Sequence, residues 1–247
     1  MPTVEEIRGL KTYLATDVHS KRVTQQNEDD DYVKDNITID YLPPGTNIVK
    51  TGIAYRMVSS PAEHIITKSP QLYRDSVDKG DEESAKNIAQ EGNRQLRILT
   101  RQNPKPIVEH IKKLLGKGEG WIYHPHNEDF NPEDPNDLPA HYIIPDPTVV
   151  FIDPSAGEKD GVPNRVFMSF ERVARVVKGI YPKWPWNNQG TRKDDDKVPF
   201  WMYWDNNIRY FEGDGDPLLT DLKGKLSNGD GIQENIYGRV PFVHSYA

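Results

Sequence analysis

The chain has 247 residues, no cysteine and a formal net charge of −7, which leaves out a disulfide framework, a thiolate nucleophile and a cysteine-held zinc or iron–sulfur centre. An acidic balance also argues against a general nucleic-acid binder held by phosphate neutralisation, while leaving transient contact with DNA open. Hydrophobic residues make up 35% and charged ones 28%, with 20 prolines and 18 glycines, so the expectation is a polar, loop-rich chain of one large or two ordinary domains.

Residues 1–31 open with Val4, Ile7, Leu10 and Leu14 at helical spacing and close on Glu28-Asp29-Asp30-Asp31. Their polarity and like charge predict a flexible N-terminal arm. The opening stretch has no apolar signal core, and no later run approaches the roughly 20 apolar residues a membrane span needs, so a soluble protein is expected. Between Tyr32 and Tyr73 the runs ITIDYL, NIVKTGIAYRMVSS and EHIIT are broken by Pro43-Pro44-Gly45, Pro61 and Pro70, a pattern that reads as edge strands and ordered loops.

From Asp81 to Arg101, the positions of Ala85, Ile88, Ala89, Gly92, Leu96 and Leu99 give one apolar stripe at helical period, with Asp81, Glu82 and Glu83 favouring its N-terminal dipole. After the break at Asn103–Pro106, a second stripe of Ile107, Val108, Ile111, Leu114 and Leu115 predicts a partner helix that Gly116 stops. Residues 32–120 are therefore expected to hold mixed strands and a helical pair. Gly116-Lys117-Gly118-Glu119-Gly120 resembles a phosphate loop, but it follows a helix where a dinucleotide motif must follow a strand. A helix stop is the better reading.

From Trp121 onward the character is β-rich, through residue 247. Trp121-Ile122-Tyr123, HYIIP, TVVFI and the final GRVPFVHSYA read as strands. Thr148–Ile152 is bracketed by Asp146-Pro147 and Asp153-Pro154, corners that remove an N–H, fix φ and let the aspartate bond local backbone. VFMSF is expected to run into a helix capped by Ser169 or Glu171, with Val173, Val176 and Val177 inward and Gly179 at its end. PFWMYW and IRYFEG, flanking Asp205-Asn206-Asn207, give the strongest hairpin signal, because those turn residues tolerate positive φ.

Several clusters invite chemistry. His124, His126, Glu128 and Asp129 have metal-ligand residue types, yet nothing else at ligand spacing joins them, and a solvated strand end is simpler. The acidic runs at 213–217, 228–231 and Asp194–Asp196 invite a calcium reading, but the fifth position from Asp214 is Leu218 and from Asn228 is Ile232, so both loops fail the pattern and polar turns are expected. Four of the five tryptophans, Trp184, Trp186, Trp201 and Trp204, gather in one region and form the candidate contact surface. Such a cluster can stack sugars or bases or anchor an interface; a core hairpin under a proline-rich loop is the competing reading. With no G-x-S-x-G, no H-E-x-x-H and no carboxylate pair in an apolar setting, no enzyme and no cofactor are expected.

Three segments together resemble the wing region of tailed-bacteriophage portal proteins. They are NRQLRILTRQNPKPIVEHIKKLLGKGEGWIYHP, YIIPDPTVVFIDPSAGEKDGVPNRVFMSFERVARVVKGIYPKW and NIYGRVPFVHSYA. The shared order is a long helix, a glycine-rich turn into a strand, a DP..V..DP segment, a helix introducing a YP.W loop, and an aromatic hairpin before G..P.VH. NIVKTGIAYRMVSSPAEHIITKSPQLYRD is similar to the family's early segment, so the likeness covers most of residues 32–247. It implies an α+β wing-like fold, with a helical pair plus a β-rich region carrying the hairpin. It also implies a ring, typically a dodecamer, at the capsid vertex of a virion, assembled in the host cytoplasm. Implied partners are other copies of the chain, terminase, capsid and tail proteins, and double-stranded DNA passing through. Family members continue into a stem, clip and crown, and this chain ends on a strand-like run, so a piece of a longer protein is expected. A carbohydrate-binding or adhesion module using the tryptophan-rich region is the alternative.

Overall fold

Phe200–Trp204 is a run of five apolar residues without alternation, and all five are buried, as happens when a strand is covered on both faces. The structure, a computed structural model, describes residues 2–36, 50–65, 71–74, 80–102, 105–127, 129–182, 184–185, 193–218, 226–227 and 231–247. It is an α+β fold. The helices are α1 (Val4–Tyr13), a π turn (Leu14–Val18), α2 (Ser20–Val33), α3 (Ile53–Ile65), α4 (Glu82–Arg101), α5 (Pro106–Lys117) and α6 (Ala174–Ile180). The strands are β1 (Glu119–Tyr123), β2 (Val150–Ile152), β3 (Glu158–Lys159), β4 (Val162–Pro163), β5 (Arg165–Val173), β6 (Lys197–Asp205), β7 (Ile208–Gly213), β8 (Asp216–Pro217), β9 (Leu226–Ser227), β10 (Ile232–Glu234) and β11 (Phe242–Tyr246).

The chain divides into two units: residues 1–25 with 145–244, and residues 26–144 with 245–247. Residues 121–144, read with the β-rich part of the chain, group here with the helices. Tyr123 and Ile143 exchange both backbone hydrogen bonds, at 2.8 and 2.9 Å, and the Tyr142 hydroxyl donates to Gln95 of α4 at 3.4 Å.

The first unit is built on an antiparallel sheet in the order β2-β5-β6-β7-β10-β9, with β8 beside β7. The register aligns Phe151, Phe167, Tyr203 and Tyr210 across four strands. This aromatic row packs under Val4, Ile7 and Leu14, joined by the partly buried Leu10, Val18 and Val23. Residues 4–33 are thus helical apart from a bend at His19, and their first part is a structural layer, where a flexible arm was expected. Acidic composition hid a narrow apolar stripe. The π turn matters here: Leu14 and Val23, nine residues apart, would fall on roughly opposite faces of a regular helix, and the wider turn returns Val23 to the sheet.

The β6–β7 hairpin forms as expected, but neither Asn206 nor Asn207 has a positive φ. Asp205 makes the turn instead, its Oδ1 accepting from the N–H groups of Asn207 and Ile208 at 2.7 Å each. VFMSF continues as strand to Val173, and α6 starts at Ala174 with no side-chain cap. Ala174 and Val177 face inward while Val176 is exposed, which corrects the inward face by one position.

In the second unit, the stretch read as edge strands contains α3, with Pro61 inside it and Ser59 and Ala62 buried. Apolar spacing at helical period outweighed the proline signal. ITIDYL lies outside the described residues. Helix α4 has the predicted span, although Ile88 is exposed. Helix α5 starts with Pro106 in its first turn and runs to Lys117, one residue past the predicted stop. Gly118, at φ 74°, supplies the left-handed cap, and its N–H donates to the Leu114 carbonyl at 3.0 Å. Gly120 serves a different purpose: a Cβ there would come within 2.7 Å of the His110 ring.

Candidate functional site

Strand β2 lies at one edge of the sheet, where unpaired carbonyls would normally face outward. Asp146 accepts from the Thr148 N–H at 3.1 Å and Asp153 from the Ser155 N–H at 2.9 Å. Each corner is thus a tight turn ending in one turn of 3-10 helix, Pro147–Val149 before the strand and Pro154–Ala156 after it. The strand is shorter than predicted because the first corner takes Thr148 and Val149. Its outward carbonyls are covered from the start of α2 and the bend before it: Arg22 Nη2 donates to Val150 at 2.6 Å, and His19 Nε2 donates to Ile152 at 2.7 Å. Arg22 Nη1 also donates to the Pro147 carbonyl at 3.0 Å. Burial opposes ionisation of Asp153, but bonds from Ser155 and the Arg165 guanidinium outweigh it and hold the carboxyl below the ordinary aspartate range.

Three of the four tryptophans proposed as a contact surface are core residues. Trp184, Trp201 and Trp204 are 4%, 2% and 1% exposed, and Trp186 lies outside the described residues. The hairpin presents Trp201 to the α1 side and Trp204 to the opposite side, where Arg209 lies over its ring at 5.7 Å. Trp184 Nε1 donates to the Gly213 carbonyl at 3.2 Å. Sugar or base stacking needs an open ring face, which none of these three indoles offers. This corrects the contact-surface assignment: a continuous apolar strand marks double-sided burial.

Between α1 and the sheet lies a buried polar cluster absent from the sequence reading. Glu212 accepts from Trp201 Nε1 at 2.9 Å, from the Tyr210 hydroxyl at 2.9 Å and from Arg8 Nε at 2.8 Å. Lys11 sits over the Trp201 ring with Nζ 4.7 Å from its centroid, and burial lowers its pKa. Burial, with the carboxylate beside it, pushes the Tyr210 hydroxyl far above its ordinary value. The arrangement spends its hydrogen-bonding capacity on fixing α1, and it offers no open position beside a reactive group.

Two open surfaces lie in the second unit. Helix α4 carries Arg94, Arg97, Ile98 and Arg101 on one face, at i, i+3, i+4 and i+7. With Gln102, Pro135 and Asn136 they line a groove of about 460 Å³. Arg94 is committed: Nε and Nη2 bond Glu91 at 2.8 and 2.7 Å, and Nη1 bonds the carbonyls of Pro135 and Asp137 at 2.9 and 3.1 Å. Arg97 and Arg101 are exposed and, among the described residues, have no ion-pair partner. The spacing of these arginines was legible in NRQLRILTR, but the sequence reading weighed only the apolar stripe of that helix. On its other side α4 borders an apolar cavity of about 330 Å³, lined by Leu72, Leu96, Leu99, Ile107 and Tyr142 among others. Asn93 grips the Leu72 backbone there, accepting from its N–H at 2.8 Å and donating to its carbonyl at 3.0 Å.

The histidine-rich stretch forms backbone bridges instead, with His126 opposite Ala140. Among the described residues no three His, Cys, Asp or Glu side chains are grouped to hold a metal. In the acidic turn before β6, Asp194 pairs with Lys178 at 3.0 Å and Asp195 with Arg175 at 3.1 Å. No helix among the described residues is long and apolar enough to cross a membrane. No protein-family model matches the chain, and no curated protein matches it at a significant level.

Proposed function

We propose that this chain is the wing portion of a portal-type ring subunit of a tailed bacteriophage, a structural part of the virion vertex. The supporting observation is the order of elements along the chain. A long helix α4, the turn at Gly118 and Gly120 into β1, and a β2 segment held between two Asp-Pro corners succeed one another. Then α6 leads into Tyr181–Trp184, the aromatic β6–β7 hairpin follows, and β11 comes last. A ring subunit needs a stiff body that presents fixed surfaces to identical neighbours. A sheet buried on both faces, with its β2 edge covered by Arg22 and His19, supplies such a body.

In this reading the partners are other copies of the chain, terminase, capsid and tail proteins, with double-stranded DNA in passage. The subunit works without catalysis or a cofactor. An acidic chain suits a conduit in which phosphates must slide. A sugar-binding reading has no supporting observation among the described tryptophans. The test is electron microscopy and mass measurement of the product of the natural gene. Closed rings, expected as dodecamers, support the proposal; a monomer at every concentration overturns it.

A further inference from the structure

The second unit holds two charged patches that match each other and do not meet within the chain. One is the α4 groove, where Arg97 and Arg101 stand one helical turn apart with Ile98 between them. The other is the acidic turn of α2, where Glu28 and Asp31 also stand one turn apart. Both acids are exposed and, among the described residues, neither has an ion-pair partner. Their neighbour Asp30 is already committed to Lys34. On helices, side chains one turn apart are about 5–6 Å apart at Cβ, so the two pairs have the same pitch.

We infer that the α4 arginine groove of one copy receives the Glu28–Asp31 turn of a second copy of this chain. Arg94 cannot supply the recognition, since Glu91 neutralises it and the Pro135 and Asp137 carbonyls fix it. It shapes one wall, and Arg97 and Arg101 carry the charge. A guanidinium can take a carboxylate in two parallel hydrogen bonds, which adds direction to attraction. Charge complementarity of this kind sets register and partner choice more than raw affinity. It fits a chain whose net charge of −7 otherwise keeps copies apart.

The two patches occupy different places on one chain, so the contact is heterologous: each copy gives its acidic turn to one neighbour and its groove to the other. Such contacts close into rings when the rotation allows. The inference rests on the ring reading above and names one of its contacts.

Charge reversal tests it in the product of the natural gene. Arg97→Glu with Arg101→Glu, and separately Glu28→Lys with Asp31→Lys, put like charges in contact. Each double variant should associate at least about tenfold more weakly than wild type, with unchanged circular dichroism because all four side chains are exposed. Mixed in equal amounts, the two variants should assemble again, alternating around rings with an even number of subunits. A chain carrying all four reversals should assemble by itself.

If wild type forms rings and both double variants form them equally well, the contact is wrong and the ring reading stands. If wild type remains a monomer, the ring reading itself fails. A short DNA duplex gives the remaining arm: loss of duplex binding by the arginine variant, with assembly intact, would make the groove a phosphate contact and overturn the inference.

Discussion

The two units use their large side chains in opposite ways. In the first, aromatic residues from four strands align and are sealed under α1 on one side, while Trp204 and Phe211 are sealed on the other. In the second, α3 leaves Ile53, Tyr55, Met57 and Ile65 exposed, and α4 leaves two arginines unpaired among the described residues. Aromatic density was therefore a poor guide to contact: the aromatic-rich unit spends most of its rings on its own core. The sparser helical unit keeps both apolar and charged groups available to partners.

The sharpest way to break that comparison is Trp201→Ala. If the hairpin is core, removing the indole costs about 3–5 kcal/mol and strands the Glu212 oxygen that accepts from Nε1. Urea unfolding followed by circular dichroism reads this directly. A loss below about 1 kcal/mol would mean the ring contributes little burial, and the contrast between units would collapse. Glu212→Ala comes next. It leaves the buried Trp201 Nε1 and the Tyr210 hydroxyl without their acceptor, at about 1–3 kcal/mol for each group. Glu212→Gln, which keeps an acceptor, should recover part of that loss.

Removing the edge cover is milder. Arg22→Ala frees the carbonyls of Pro147 and Val150, at a cost of about 1–3 kcal/mol if they stay dry and less once water reaches them. Hydrogen exchange should quicken in β2 and its neighbour β5 while β7 and β10 stay protected. Uniform acceleration across the sheet would show instead that the arginine supports the whole unit.

Acid gives a smaller effect in the same place. The folded state holds Asp153 below its ordinary value of 3.8, so its contribution is complete above that value. It disappears as pH falls through the lower folded value. Asp153→Asn should flatten the stability profile of the first unit below about pH 4. An unchanged acid limb would assign that limb to other carboxylates.

Much of this was legible in the sequence where one signal dominated. Helix α4, the α5 start at Pro106, the Asp-Pro corners and the β6–β7 hairpin each follow from local chemistry. The misreadings came from conflicts between signals. Pro61 reads as a break between strand-like runs, yet α3 carries it. The acids of residues 28–31 concealed that Ile7 and Leu14 are fully buried against the sheet. The Glu212 cluster could not be read at all, because Arg8 and Glu212 are 204 positions apart. In IRYFEG the charged Glu212 stands directly after two aromatics, with no local partner to mark it.

The smallest expected change is also the most informative about the second unit. Met57 is 71% exposed and Ile53 59%; replacing both by serine removes only a minor part of the area the chain buries. Stability should move by no more than about 0.5 kcal/mol. If the exposed α3 face serves association, the same variant should assemble more weakly while unfolding at the same urea concentration. A matched loss of both would place these side chains in the unit's own core, and the helical unit would then resemble the sheet unit in hiding what it has. Unchanged assembly and unchanged stability would leave the arginine groove as the surface on which the unit depends for its contacts.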